Sequence, residues 1–196
     1  MLEVRYKVIQ LLVLSETLMS DYTNILNAEI TKEKYQWLLT RMEPFLLMFQ
    51  KEIHNSNDKS HGITTSTIPN LLGIGEGSTP QSDDLYLGII ATIKCKEPSL
   101  SEVLQNLSLI KYESYTTRKS SSLIRSFLRY NFPDEIKPII ELLKIDFPST
   151  AHIMKFKMEI QKIKLIGASS GYYFLVGVLW QLEYYENQKQ NLIVKK

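Results

Sequence analysis

Apolar residues recur at spacings of three and four along most of the chain, and nowhere in a sustained alternation of apolar and polar. That period lines one face of a helix, whereas a half-buried strand needs a period of two. Val4, Val8, Leu11 and Leu12, then Leu18, Tyr22, Ile25 and Leu26, predict one long or two short helices over residues 1 to 29. Thr31 with Glu33 behind it predicts the start of the next. Its stripe is Tyr35, Leu38, Leu39, Met42, Phe45, Leu46 and Phe49, with Pro44 a kink or break. The period then lapses, and HNSNDKSHG at residues 54–62 predicts an exposed, mobile loop.

Helical spacing resumes from Leu85 to Cys95. Pro98, Ser99 and Glu102 predict the cap of a helix carrying Val103, Leu104, Leu107 and Ile110. Another begins near Thr117, carries Leu123, Ile124, Phe127 and Leu128, and stops at Asn131-Phe132-Pro133. Asp134 is the expected cap of a helix through Ile136, Ile139, Ile140, Leu142 and Leu143, with Pro138 in its first turn. Ser149 or Thr150 opens the next, and a last helix runs from about Gly171 through Phe174, Leu175, Val178, Leu179 and Leu182. KIKLIG, residues 162–167, is the one modest strand candidate, and helix is the better expectation there. The fold class is therefore all-α: a single-domain multi-helix bundle over residues 1–196, with the tail 187–196 expected to fray.

One stretch breaks this pattern. GIGEGSTPQSDD, residues 73–84, places Gly73, Gly75 and Gly77 at every second position, where helix or strand would each be weakened by roughly 0.5–1 kcal/mol per glycine. Thr79 followed by Pro80 predicts a hydroxyl N-cap and a proline at the first helical position. A glycine-rich loop running into a helix start offers unpaired N–H groups to an oxyanion such as phosphate or carboxylate. Asp83 and Asp84 suit the first turn of that helix, yet they would repel an anion unless Mg²⁺ or a basic group stood between. They lie about 100° apart on a helix. Asp84 shares its face with Gly88, Ala91 and Cys95, and Asp83 stands beside Leu87 and Ile90. Asp84 is the preferred ligand-facing residue; the other reading is that both aspartates only cap the helix and bond loop N–H groups.

Two further segments carry hydroxyl groups ahead of helices. GASSG, residues 167–171, is followed six residues later by Gly177, so two glycine-lined helix starts are placed to face each other, although a tight turn with close helix packing explains it too. Tyr115-Thr116-Thr117-Arg118-Lys119-Ser120 offers hydroxyls and cations to an anion, against a plain reading as a helix cap.

Other chemistry finds little support. His54, His61 and His152 have no metal-ligand spacing, and a solvated role is expected for each. Cys95, the single cysteine, reads as a small core residue and leaves no disulfide framework. Ser120-Ser121-Ser122 lacks a nucleophile elbow, and neither nucleotide-binding glycine fingerprint is present. A metal-dependent hydrolase built on the aspartate pair would need further acidic ligands. No cofactor or metal is expected. The 23 basic and 21 acidic residues are scattered and give no footprint for nucleic acid. No apolar run approaches the ~20 residues of a membrane span, and the amino terminus lacks a cleavage pattern. The expected compartment is the cytoplasm.

LLGIGEGSTPQSDDLYLGII resembles the signature of the AllH family, in which a glycine-rich loop runs into Leu-Thr-Pro-Ser-Gly-Asp-Asp and an apolar helix. TTRKSSSLI and LIGASSGYYFLVGVLW follow in the order of that family's Thr-Thr-x-x-Ser and Gly-His-Ser-Ser-Gly segments. The resemblance spans about residues 64–185. It implies a subunit of an oxamate carbamoyltransferase of allantoin degradation, an assembly that interconverts oxalurate and phosphate with oxamate and carbamoyl phosphate. It also implies partner transferase subunits and a small anionic metabolite as ligand. The ligand-binding residues would be Gly73, Gly75, Gly77, Ser78, Thr79, Asp83 and Asp84, closed over by Thr116, Thr117, Ser169, Ser170 and Gly171, with Asp83 and Asp84 the catalytic candidates. The sequence departs from the pattern at Glu76 (for proline), Ser78 (for leucine), Gln81-Ser82 (for Ser-Gly), Ala168 (for histidine) and Tyr173 (for aspartate). Loss of that histidine and acid motivates the alternative, a non-catalytic helical interaction or scaffold protein that kept the fold.

Overall fold

A computed structural model describes residues 21–55, 67–146 and 148–194. The apolar positions at 4–18 and most of the polar segment 54–62, His61 included, lie outside the described residues. Residues 21–29 are helical (α1), followed by α2 (Lys32–Asn55), α3 (Ile68–Leu71), α4 (Gln81–Lys96), α5 (Ser101–Leu107), α6 (Arg118–Leu128), α7 (Lys137–Leu143), α8 (Thr150–Lys164) and α9 (Ser170–Val194). Two short 3₁₀ turns, Pro98–Leu100 and Tyr112–Ser114, precede α5 and α6. No strand occurs among the described residues, and residues 162–164 of the strand candidate close α8. No described helix is long and apolar enough to cross a membrane.

The centre of the bundle is α4. Every residue from Ser82 to Lys94 is buried, so this helix has no solvent face. Its main neighbour is α9, with α6, α7, α2 and α3 completing the surround. The two central helices meet through glycines: a Cβ on Gly88 would stand 2.0 Å from the Phe174 carbonyl oxygen, and one on Gly177 would stand 1.9 Å from that of Leu85. At the periphery Tyr22 of α1 stacks on Phe156 of α8 with ring centroids 4.2 Å apart and donates to the Leu142 carbonyl at 3.2 Å.

Several boundaries differ from the sequence expectation for local reasons. α2 is one unbroken helix with Pro44 inside it. Burial of Tyr35 and Leu38 ahead of the proline, and of Met42, Leu46, Phe49 and Ile53 around and beyond it, outweighs the ~3 kcal/mol that an interior proline costs. The helix also takes in His54 and Asn55. α7 begins at Lys137 rather than at an Asp134 cap: Pro138 is tolerated in the first turn, and the Asp134 carboxylate pairs with Lys137 at 2.6 Å instead. Pro98 and Ser99 form a 3₁₀ turn rather than the α5 cap. Thr117 and Ser149 do cap α6 and α8, and α9 stays helical to Val194 through the polar tail.

Candidate functional site

The loop ahead of α4 is held closed by its own hydrogen bonds. Gly73, Gly75 and Gly77 all take positive φ, and at Gly73 (φ +76°) a Cβ would also stand 2.4 Å from the Tyr115 carbonyl oxygen, which only glycine avoids. Ile74 and Ser82 bond reciprocally: the Ile74 N–H donates to the Ser82 hydroxyl at 2.8 Å, and the Ser82 N–H to the Ile74 carbonyl at 3.0 Å. The N–H groups of Asp83 and Asp84 donate to the Pro80 carbonyl. These α4 first-turn donors are therefore occupied, and the open cradle of helix amides expected at this point is not what forms. The Thr79 cap is corrected as well. Pro80 is the N-cap residue with no side-chain cap, and the Thr79 hydroxyl turns away to Ser170 Oγ at 2.9 Å.

The two aspartates have different surroundings. Asp83 is fully buried and its carboxylate is consumed by structure: Oδ1 accepts from the Gly73 N–H at 2.8 Å and the Ser82 hydroxyl at 3.3 Å, and Oδ2 accepts from the Thr116 hydroxyl. Asp84 is also buried, but its Oδ2 has no hydrogen-bond partner. Burial pushes its carboxyl up to about 7. The hydroxyls of Ser170 and Thr79 and the charge of Lys119 pull it down, and the neighbouring Asp83 raises it further.

Asp84 lines a cleft of about 260 Å³ with Thr79, Lys119, Glu135, Gly167, Ser170 and Gly171 on its polar side. Leu87, Leu123, Phe127, Ile136, Ile166 and Phe174 form the apolar walls. Three helix starts meet at its edge. The Thr117 hydroxyl at the α6 cap donates to the Ser78 carbonyl at 2.6 Å, Lys119 Nζ reaches Ser78 Oγ at 3.5 Å, and Thr79 joins Ser170 at the start of α9. The structure thus brings Gly73 and Thr116 onto the buried Asp83 carboxylate, and sets the Ser78–Thr117 and Thr79–Ser170 bonds near the chain at Asp84.

Other expected site residues stand apart. Gly77 has nothing within 4 Å of a Cβ position, and Gly75 serves the bend over Gln81, whose side-chain oxygen accepts from the Glu76 N–H at 2.8 Å. Gly171 lines the cleft and packs tightly on α8, where a Cβ would stand 1.7 Å from the Ile163 carbonyl oxygen. Ser169 lies with Ala168, Tyr172 and Tyr173 in a separate hollow beside Thr31, Lys34 and Lys164. The departures at Ala168 and Tyr173 therefore take nothing from the lining of the Asp84 cleft. Among the described residues no three His, Cys, Asp or Glu side chains gather to hold a metal.

Sequence reasoning missed the second polar cluster, at the far end of α4. His54, expected to be solvated, bonds the Gln50 carbonyl through Nδ1 at 2.7 Å and Glu97 through Nε2 at 2.9 Å. The Glu97 contact holds the imidazole above its ordinary range, against burial. Burial pushes Glu97 up, but His54 and Tyr185 outweigh it and hold the carboxyl below its usual value. A hollow of about 600 Å³ lies here, lined by Gln50, His54, Lys96, Glu97 and Tyr185 among others. His54 and Glu97 stand 43 residues apart in sequence, beyond any local pattern.

No solved structure matches the chain. The family profile described as oxamate carbamoyltransferase subunit AllH matches residues 71–182. That span, more than half of the chain, runs from the closed loop through both aspartates, Thr116, Lys119 and the GASSG turn to the end of the α4–α9 contact. This protein belongs to the AllH family of oxamate carbamoyltransferase subunits.

Proposed function

We propose that the chain binds a small anionic metabolite in the Asp84 cleft, as a subunit of an oxamate carbamoyltransferase-type assembly in which carbamoyl phosphate takes part. The observation that carries this is Asp84 Oδ2, a buried oxygen without a partner on the wall of a cleft shared with Lys119. A buried polar atom left unpaired costs ~1–3 kcal/mol, and of the nine such side-chain atoms among the described residues Asp84 Oδ2 is the carboxylate oxygen on this cleft's wall. The cleft volume suits a molecule smaller than a typical drug-sized ligand. Its carboxyl also resolves the repulsion expected from an acid beside an anion. Near pH 7 it is protonated about half the time and can donate a hydrogen bond to a ligand oxygen, while Lys119 supplies the counter-charge. Asp83 holds the loop and does not face the ligand.

The test is calorimetric titration of oxamate and of carbamoyl phosphate into the protein alone and in its assembly, at pH 6 and pH 8. Binding should be tighter at pH 6, and Asp84→Ala should abolish it. Heats indistinguishable from dilution at both pH values, with the assembly present, would sink the proposal.

A non-catalytic scaffold is the second reading, motivated by Ala168 and Tyr173 in place of the family's histidine and aspartate. It requires the reconstituted assembly to keep its full transfer rate in the Asp84→Ala variant.

A further inference from the structure

The outward face of α8 carries an apolar ridge that no described residue covers. On its inner side Phe156, Ile160 and Ile163 are buried in the core. On its outer side Met154 is 64% exposed, Met158 61% and Leu165, just past the helix end, 83%. These three, with Gln161 between them, follow spacings of four, three and four, which keeps them within a strip roughly 60° wide. Single exposed apolar residues are ordinary, whereas an aligned row of large ones marks a contact surface.

The ridge is edged mainly by lysines, with the Glu29 carboxylate of α1 accepting from Gln161 at 2.7 Å at one end. Lys155 and Lys162 stand along one side and Lys157 and Lys164 along the other. The only acid of α8, Glu159, is buried and bonded to Lys162 at 2.8 Å. Lys164 is tied to Glu29 at 2.6 Å, so it is partly neutralised, and Lys157 also acts on Glu29 through charge, whereas among the described residues no ion pair within 4.0 Å is seen for Lys155 or Lys157. Two copies of such a face would set lysines against lysines, which disfavours a symmetric pairing of this chain through α8.

We propose that the α8 ridge docks an acidic surface on a partner subunit of the transferase assembly, with Met154, Met158 and Leu165 entering an apolar patch and the lysines meeting carboxylates around it. This rests on the reading of the chain as a subunit. Methionine suits the role because its unbranched thioether adapts to a partner's contour. Position adds a second argument. Leu165 is followed directly by Ile166 and Gly167, which wall the Asp84 cleft. A partner seated on the ridge stands at the cleft's edge and meets the turn that carries Ser170.

The experiment co-expresses the full chain with the other subunits of the transferase and follows assembly by sedimentation velocity. Combined Met154→Glu, Met158→Glu and Leu165→Asp changes should weaken association by roughly 30-fold or more, as for loss of central contacts. The wild-type complex should loosen as salt rises from about 0.05 to 0.5 M, in keeping with screening of charge pairs. A control pair on the exposed face of α2, Trp37→Glu and Met48→Glu, should leave association intact. Circular dichroism and melting of each variant alone establish that it folds. Undiminished assembly of the α8 variant overturns the inference while leaving the subunit reading standing. So does wild-type binding to vesicles rich in anionic lipid that the α8 changes abolish while assembly persists, or a self-dimer that they dissolve. Failure of the wild type to join the other subunits overturns the subunit reading, and this inference with it.

Discussion

Gly88 and Gly177 lie against each other's helices, each pressed toward a backbone carbonyl of the opposite one: Gly88 toward Phe174 and Gly177 toward Leu85. Two backbones this close leave no room for a methyl group, and a carbonyl cannot swing aside as a side-chain tip can. Gly88→Ala should therefore destabilise the protein by ~3 kcal/mol, the upper end for overpacking a core. For a chain of this size that is a fall in melting temperature of roughly 6–12 °C. A loss below about 2 °C in differential scanning calorimetry would mean that the helices separate at little cost.

Asp83 is expected to behave as a structural residue. Removing its carboxylate in Asp83→Ala strands the buried Ser82 hydroxyl and the partly exposed Gly73 N–H and Thr116 hydroxyl, and should cost ~2–3 kcal/mol in urea unfolding. Thr116→Val removes one of those bonds and should cost less, ~1–2 kcal/mol. Equal losses in the two variants would contradict a shared network centred on Asp83.

For Asp84 the expected change has the opposite sign. Its folded pKa, about 7, lies above the ordinary carboxylate value of 3.8, so the native state binds the proton more tightly than the unfolded chain. This group's contribution to stability is then highest below about pH 4, falls as pH rises toward 7, and is flat beyond. Asp84→Asn, which cannot ionise, should melt higher than wild type at pH 8, by up to ~4 kcal/mol of stability, with the difference vanishing near pH 4. Parallel melting curves from pH 4 to 8 would show that the carboxyl is not held neutral.

His54 gives a smaller pH effect of the same sign, in a higher pH window. Its folded pKa is raised by Glu97, so its contribution is complete below the unfolded value near 6.5 and disappears as pH rises through the folded one. The imidazole is 38% exposed and solvent screens the pair, so His54→Ala should cost only ~0.5–1 kcal/mol at pH 5.5 and less at pH 9. A cost that does not depend on pH would assign the role to packing alone.

Much of this arrangement could be read from local pattern. The helical period, the angular separation of Asp83 from Asp84, and the placing of Gly88 and Gly177 on facing surfaces all depend on spacings within one helix. Capping was legible where side chain and helix start are neighbours, as at Thr117 and Ser149. It failed at Thr79 and Asp134, because a better partner arrived from elsewhere: Ser170 across 91 residues for the first, and Lys137 beside a proline-fixed start for the second. The sequence also could not say that Thr116 would take an Asp83 oxygen, nor that Lys119 would turn into the cleft. Those pairings exist only once α4, α6 and α9 have packed.

The closed loop from Gly73 to Ser82 has a consequence for the thermodynamics of binding. Ordering a flexible segment of this length around a ligand would oppose association by about 1–2 kcal/mol for each residue fixed. Here the Ile74–Ser82 exchange and the Asp83 bonds fix the segment as the protein folds. Its entropy loss therefore belongs to folding, and a metabolite entering beside Asp84 meets a wall already in place, with association limited by desolvation and charge rather than by loop closure.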